Sequence, residues 1–269
     1  IDMKILLLAG SHSRHLHFFQ GLLGLDADFS VLGMQREAQL PSTPDSLQKK
    51  ERRLYTRQFE ERFDTESRHF GSPTPPEVFE GIPHHFCDLN GFNSLSSVKF
   101  VEEMKPDIAI VFGTTMIRSP LFEALPKLTL NLHLGLSPWY RGAATLFWPF
   151  YFLEPNYAGA TFHQITAAPD AGAILHQSTS VLEIGDGIHD VAAKTVEIAT
   201  LEFRSILEQI ITGKEFDLEQ QKSNGKLFLS ADFKPAHLRL VYDEFDNRIV
   251  DEYLAGSLGG RIPKLKRVV

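Results

Sequence analysis

One cysteine, Cys87, in 269 residues excludes an internal disulfide and any metal site built from several thiolates. Excess positive charge is missing as well. Twenty-seven Lys and Arg stand against 34 Asp and Glu, a formal charge of −7. A chain whose main task is to grip nucleic acid needs a basic surface, so no nucleic-acid partner is expected. Nor is there a run long enough to cross a membrane. The most apolar stretch, Ala143 to Leu153, falls far short of the roughly 20 residues required and is interrupted by Pro149. Met3 to Ala9 is apolar but has neither the cationic flank nor the cleavage site of a secretory signal. A cytoplasmic protein without a membrane partner is the expectation. Ile1 and Asp2 precede Met3 and are set aside from the fold reading. Repeats and low-complexity tracts are absent, and 43% apolar with 23% charged residues is the composition of a globular chain.

What is present is an alternation of β-type and helical runs. Lys4 to Ala9 ends at Gly10, Ser11 is placed to cap a helix carrying Leu16, Phe19, Leu22 and Leu23, and Phe29 to Leu32 follows as a second strand. Asp45 to Phe70 reads as a mostly polar helix, closed by Gly71 to Pro76. Ser94 to Met104 and Leu121 to Leu125 are helical. Asp107 to Phe112 and Leu128 to His133 are nearly continuous apolar runs, as strands buried on both faces require. Ala160 to Ile165 and Ile174 to Val181 are further strands. Asp190 to Thr212 is a long helix with one apolar stripe, ended by Gly213. The fold class is α/β, a twisted and mostly parallel sheet with flanking helices. A soft boundary divides a main domain, 3–213, from a short C-terminal extension, 214–269, with a strand near Leu227 to Leu229 and helical segments from Pro235 to Leu254.

Asn131 and His133 stand at the end of a buried strand, where ligands bind in open α/β sheets. Two residues apart, they point to one face, and a strand covered on both sides has no packing reason to carry an amide beside an imidazole. Asp170 lies in the turn Ala167-Ala-Pro-Asp170-Ala-Gly172. On spacing alone it reads as a turn aspartate, unless that turn folds back beside His133.

Asn131-x-His133 followed by Pro138, then Tyr140-Arg-Gly142, then Pro169-Asp-x-Gly-x-Ile174, resembles the folate-dependent formyltransferases, a family that includes glycinamide ribonucleotide, methionyl-tRNA and nucleotide-sugar N-formyltransferases. The resemblance implies a Rossmann-like formyltransferase fold over 3–213. It implies transfer of a formyl group from N10-formyltetrahydrofolate to an amine, with no metal. Asn131 and His133 would flank the reacting carbonyl, and Asp170 would set the state of His133 and relay a proton. The chemistry asks for such groups. Amine attack on a formyl carbon builds an oxyanion that fixed donors stabilise, and leaves a proton that a carboxylate can accept. The pterin would lie between Thr115, Met116 and Ile117 on one side and Ala167, Ala168 and Asp170 on the other, with Phe122 and Ile165 as walls. Two departures stand out: many relatives carry Ser where this chain has Gly135, and a positive residue where it has Thr115.

For the acceptor, the loop Gly10 to His15 offers Ser11 and Arg14 toward a phosphate, and Trp139, Tyr140 and Arg141 complete the expected substrate set. His12, His15 and His17 are scattered by helical spacing, so no metal is expected. The polar helix 45–70 could bring Arg52, Arg53 or Arg57 to a diphosphate, or pack a homodimer, or simply be solvated. The wording as a whole points to a nucleotide-linked amino sugar of surface-polysaccharide (O-antigen) biosynthesis. Glycinamide ribonucleotide, a hydroxylated ornithine, and a folate or nucleotide-binding module without turnover are the alternatives.

Overall fold

A computed structural model describes residues 3–222 and 225–269; Ile1 and Asp2 lie outside the described residues. The elements in chain order are β1 (Lys4–Gly10), α1 (Ser13–Leu22), β2 (Asp28–Met34), α2 (Lys49–Phe70), α3 (Pro75–Val78), β3 (His84–Cys87), α4 (Leu95–Met104), β4 (Ile108–Phe112) and α5 (Leu121–Ala124). They continue with β5 (Leu128–His133), β6 (Tyr140–Gly142), α6 (Trp148–Tyr151), β7 (Gly159–Gln164), β8 (Ile174–Thr179), α7 (Ile188–Ile211), β9 (Lys226–Phe228) and α8 (Ile249–Leu254). Seven strands make one sheet in the order β3-β2-β1-β4-β5-β7-β8. The first five are parallel, and β7 runs antiparallel to both of its neighbours, β5 and β8.

β1 shows why the sequence makes a covered sheet. Its alternate residues enter two cores: Ile5, Leu7 and Ala9 meet Leu16, Phe18 and Phe19 of α1 and Phe203 and Ile206 of α7, while Leu6 and Leu8 meet Val101 of α4 and Leu121 of α5. A third apolar cluster joins Leu54, Leu136, Tyr140, Phe147 and Trp148 to Phe228, Leu238, Val241, Tyr242 and Ile249. The residues after Gly213 therefore share a core with the rest of the chain. They also cover the outer edge of β8: Glu219 exchanges two backbone hydrogen bonds with Ile174, and the Gln177 N–H donates to Lys266.

The expected strands and long helices are present, with four differences. α2 begins at Lys49 rather than Asp45, and His12 rather than Ser11 occupies the cap of α1. β3 and β6 have no apolar run to announce them. The helical segments foreseen from Pro235 to Leu254 are a 3-10 turn, a π turn at Leu240–Glu244 and the short α8.

Candidate active site

β4 and β5 end side by side, Val111 paired with Asn131, and the crevice opens beyond their carboxyl ends. Asn131 and His133 share one face of β5. Antiparallel β7 sets His163 opposite Asn131. The turn after β7 brings Asp170 back to this point on a left-handed backbone (φ 48°), which Asp adopts more readily than most residues. Gly172 permits the return, since a Cβ there would collide with the Gln164 carbonyl. The groups converge. Asp170 Oδ2 lies 3.5 Å from His133 Nδ1 and accepts the Gly142 N–H at 2.9 Å, while Oδ1 lies 3.3 Å from His163 Nε2. Asn131 Nδ2 is 3.2 Å from the same nitrogen of His163.

Charge follows from this packing. Burial alone would raise the Asp170 carboxyl, but His133, His163 and the Gly142 N–H outweigh it and hold the group well below the usual carboxylate range. Burial pushes His133 down, with His163 and Arg141 acting in the same direction against Asp170 and the Tyr140 carbonyl. The ring rests neutral at pH 7. His133 Nε2–H donates to the Tyr140 carbonyl at 2.9 Å, which leaves the Nδ1 lone pair toward Asp170. Gly135 makes room for that bond: a Cβ there would stand 2.5 Å from His133 Nε2 and 2.7 Å from the Tyr140 oxygen.

A cavity of about 230 Å³ opens against Asn131, His163 and Asp170. Thr115, Met116, Ile117, Phe122, Ile165 and Ala168 line it, together with Val111 and Pro169. Ala167 is exposed and does not line it. Apolar walls around a polar end suit a fused-ring head group, so these residues fit the pterin of a reduced folate. His133 stands behind this wall, whereas His163, which no sequence signal singled out, is part of it.

A second cavity, about 300 Å³, lies on the other side of the β5 end, between α2, α7 and the loop 144–147. Arg14, Arg62, Glu66, His189, Phe59, Phe147 and Phe233 are among its walls. Arg62 Nε is buried with no hydrogen-bond partner, and burial beside Arg14 lowers its guanidinium to about 10. From α7, His189 meets the Tyr242 hydroxyl (3.2 Å), which donates to Gln58 on α2 (2.6 Å).

The expected acceptor residues are dispersed. Arg14 reaches the second cavity but is paired with Glu66 at 3.1 Å. Ser11 Oγ accepts the Arg36 N–H, away from both cavities. Trp139 stands edge-on to Tyr157, and the Tyr140 hydroxyl donates to Glu154. Arg141 is buried beside His133, its Nε without a partner. Arg52, Arg53 and Arg57 pair with Asp45, Asp243 and Glu61; the cation that α2 sends to the second cavity is Arg62. Among the described residues no three His, Cys, Asp or Glu side chains are arranged to hold a metal ion, and no helix is long and apolar enough to cross a membrane.

Comparison with known proteins finds relatives over part of the chain and solved structures of the same fold. A bifunctional polymyxin resistance protein ArnA from Wigglesworthia glossinidia brevipalpis is 36% identical over 95 residues, 35% of this chain and 14% of that protein. A methionyl-tRNA formyltransferase from Cyanothece sp. is 30% identical over 124 residues, 46% of this chain and 37% of its own length. The chain thus spans well under half of these relatives. Among solved structures, a sugar N-formyltransferase from Shewanella sp. superposes with a TM-score of 0.56 at 15% identity, covering 86% of this chain and 78% of that one. The formyltransferase PseJ from Anoxybacillus kamchatkensis, solved with a UDP-linked formamido sugar and tetrahydrofolate, gives 0.51 at 19% identity, covering 91% and 95%. At such identities the likeness is one of fold. Residues 79–204 match the family described as Formyl transferase, and this segment holds Asn131, His133, His163 and Asp170 together.

Proposed function

We propose that the protein transfers a formyl group from N10-formyltetrahydrofolate to the amine of a small acceptor. The observation that carries this is the convergence of Asn131, His133 and Asp170 beside a cavity walled by Thr115, Met116, Ile117, Phe122, Ile165 and Ala168. The folate supplies an activated formyl carbon. Asn131 offers an amide N–H where negative charge grows on the formyl oxygen as the amine adds. Asp170, kept ionised, takes the amine's proton directly or through one water. A carboxylate held that low is a poor resting place for it. The Nδ1 lone pair of neutral His133, 3.5 Å away, accepts it, and the resulting imidazolium still donates to the Tyr140 carbonyl. The same proton returns to the nitrogen that departs, so the transfer is neutral overall.

The acceptor is a nucleotide-linked amino sugar, serving surface-polysaccharide (O-antigen) synthesis, held in the second cavity. Unpartnered Arg62 Nε there suits an anionic group, and Phe59, Phe147 and Phe233 suit a ring. Glycinamide ribonucleotide is disfavoured, because the start of α1 is already filled: Gln39 accepts the Ser13 N–H, and Glu66 neutralises Arg14. Main domain 3–213 carries the chemistry, and the extension 214–269 closes the acceptor side through Phe233. The test is to mix the protein with N10-formyltetrahydrofolate and UDP- or dTDP-linked amino sugars, glycinamide ribonucleotide and hydroxyornithine, following tetrahydrofolate release. Release with a nucleotide sugar alone is the expected result. Release with none of them, while folate still binds, would leave a binding module.

A further inference from the structure

We propose that His163 is a positioning residue that fixes which end of the Asn131 amide faces the formyl group; this rests on the formyl-transfer reading above. Three observations carry it. First, His163 Nδ1 lies 2.9 Å from the Gln164 carbonyl, an atom that can only accept, so Nδ1 holds the ring proton. In the neutral ring Nε2 is then an acceptor, and the Asn131 amide 3.2 Å away must present N–H to it rather than its carbonyl. The amide is held against flipping, and its second N–H is left for the cavity that Asn131 lines.

Second, the ladder between β7 and β8 slips by one residue between Phe162 and His163. The extra residue, Leu175, belongs to β8, and His163 keeps its regular place opposite Asn131. There it is 3% exposed and forms part of the wall of the folate cavity. Third, Nε2 lies 3.3 Å from Asp170 Oδ1, so one ring touches both the amide and the carboxylate of the proposed chemistry. The ionisable groups facing His163 are Asp170, from the returning turn, and His133, from β5 with ring centroids 6.3 Å apart.

The experiment is a double-mutant cycle on the full chain. His163→Phe keeps the ring shape and removes both nitrogens. Its kcat for formyl transfer is expected to fall on the order of 30-fold with the folate KM within about threefold, because the loss is confined to the transition state. His163→Gln, which retains an acceptor, recovers at least about fivefold of that loss. In an Asn131→Ala background, His163→Phe costs less than about threefold, since the amide it orients is gone. Equal cost in both backgrounds, or a raised KM with unchanged kcat, would make His163 a packing residue and overturn the proposal. A second readout needs no turnover. In 15N-labelled protein the Asn131 side-chain amide exchanges with water slowly, about tenfold or more faster in His163→Phe, and less so in His163→Gln, which keeps the acceptor. Equal exchange overturns the proposal even where no amine is formylated, an outcome that would defeat the formyl-transfer reading separately.

Discussion

The two cavities flanking the end of β5 are built on different terms. The folate side is made of strand ends and the loops that leave them: Val111 and Asn131 from neighbouring strands, Thr115 to Ile117, and the turn of Asp170. Its polar groups are few and touch one another. The acceptor side is made of helix faces and the residues after Gly213, with Arg14, Arg62, Glu66, Gln58 and His189 spread around it. A site built on adjacent backbone fixes chemistry, because register sets its distances. One built on separate elements fixes which molecule enters, because each wall changes alone. Mutations should split accordingly.

The largest effect belongs to the folate side. Asn131→Ala should lower kcat about 100–1,000-fold, the usual cost of removing one oxyanion donor, with the fold intact. Asp170→Asn should lose a similar amount while still binding folate, read by fluorescence titration. A loss under tenfold for Asn131→Ala would remove it from that role.

Gly135→Ala comes next. The new Cβ meets His133 Nε2, the Tyr140 carbonyl and Thr145 at 2.5–2.7 Å. Overpacking of this kind costs about 1–3 kcal/mol, and the ring that moves is the one behind Asp170. Turnover should fall about tenfold or more, with the folate affinity little changed. If Gly135→Ala keeps full activity, the Tyr140–His133 bond is not part of the working site.

Phe233→Ala tests the other cavity. The acceptor KM should rise about tenfold, the value of one aromatic contact, with the folate KM unmoved. Equal changes in both would erase the distinction between the cavities.

How far these sides were legible in the sequence follows the same division. Leu128 to His133 reads as a buried strand with two polar residues out of place, and the strand holds those bounds. Asp170 was recognisable only beside the Asn131 and His133 motif. His163 was not, since its relation to Asn131 exists only across an antiparallel pairing 32 residues apart. α2 hid its role for another reason. Its buried face carries Gln58, Thr65 and Glu66, so apolar periodicity cannot reveal it. Tyr242 and Phe233 sit in the stretch set apart as a short C-terminal extension, yet both pack against α2, α7 or the loop before α6.

Acid should touch the acceptor side at milder pH than Asp170, and the effect is the smallest of the set. Burial, then Arg62, lowers His189 to about 3. An unfolded histidine titrates near 6.5. Above that pH both states are neutral and the group adds no slope. As pH falls below it, the unfolded chain takes a proton that the folded chain refuses, so stability drops by about 1 kcal/mol at pH 6. Asp170 behaves differently: held below the usual carboxylate range, it is ionised in both states near pH 6 and loses its contribution only as pH falls through about 4 and below. His15 and His133, also lowered by burial, add slope of the same sign as His189. The comparison therefore rests on a difference. His189→Gln keeps a donor for Tyr242 and removes the titration. Urea unfolding at pH 7.5 and pH 6 should show the variant losing about 1 kcal/mol less than the parent chain over that interval. Parallel losses would mean that His189 is protonated as easily folded as unfolded, and that the wall between α2, α7 and Tyr242 is open to water.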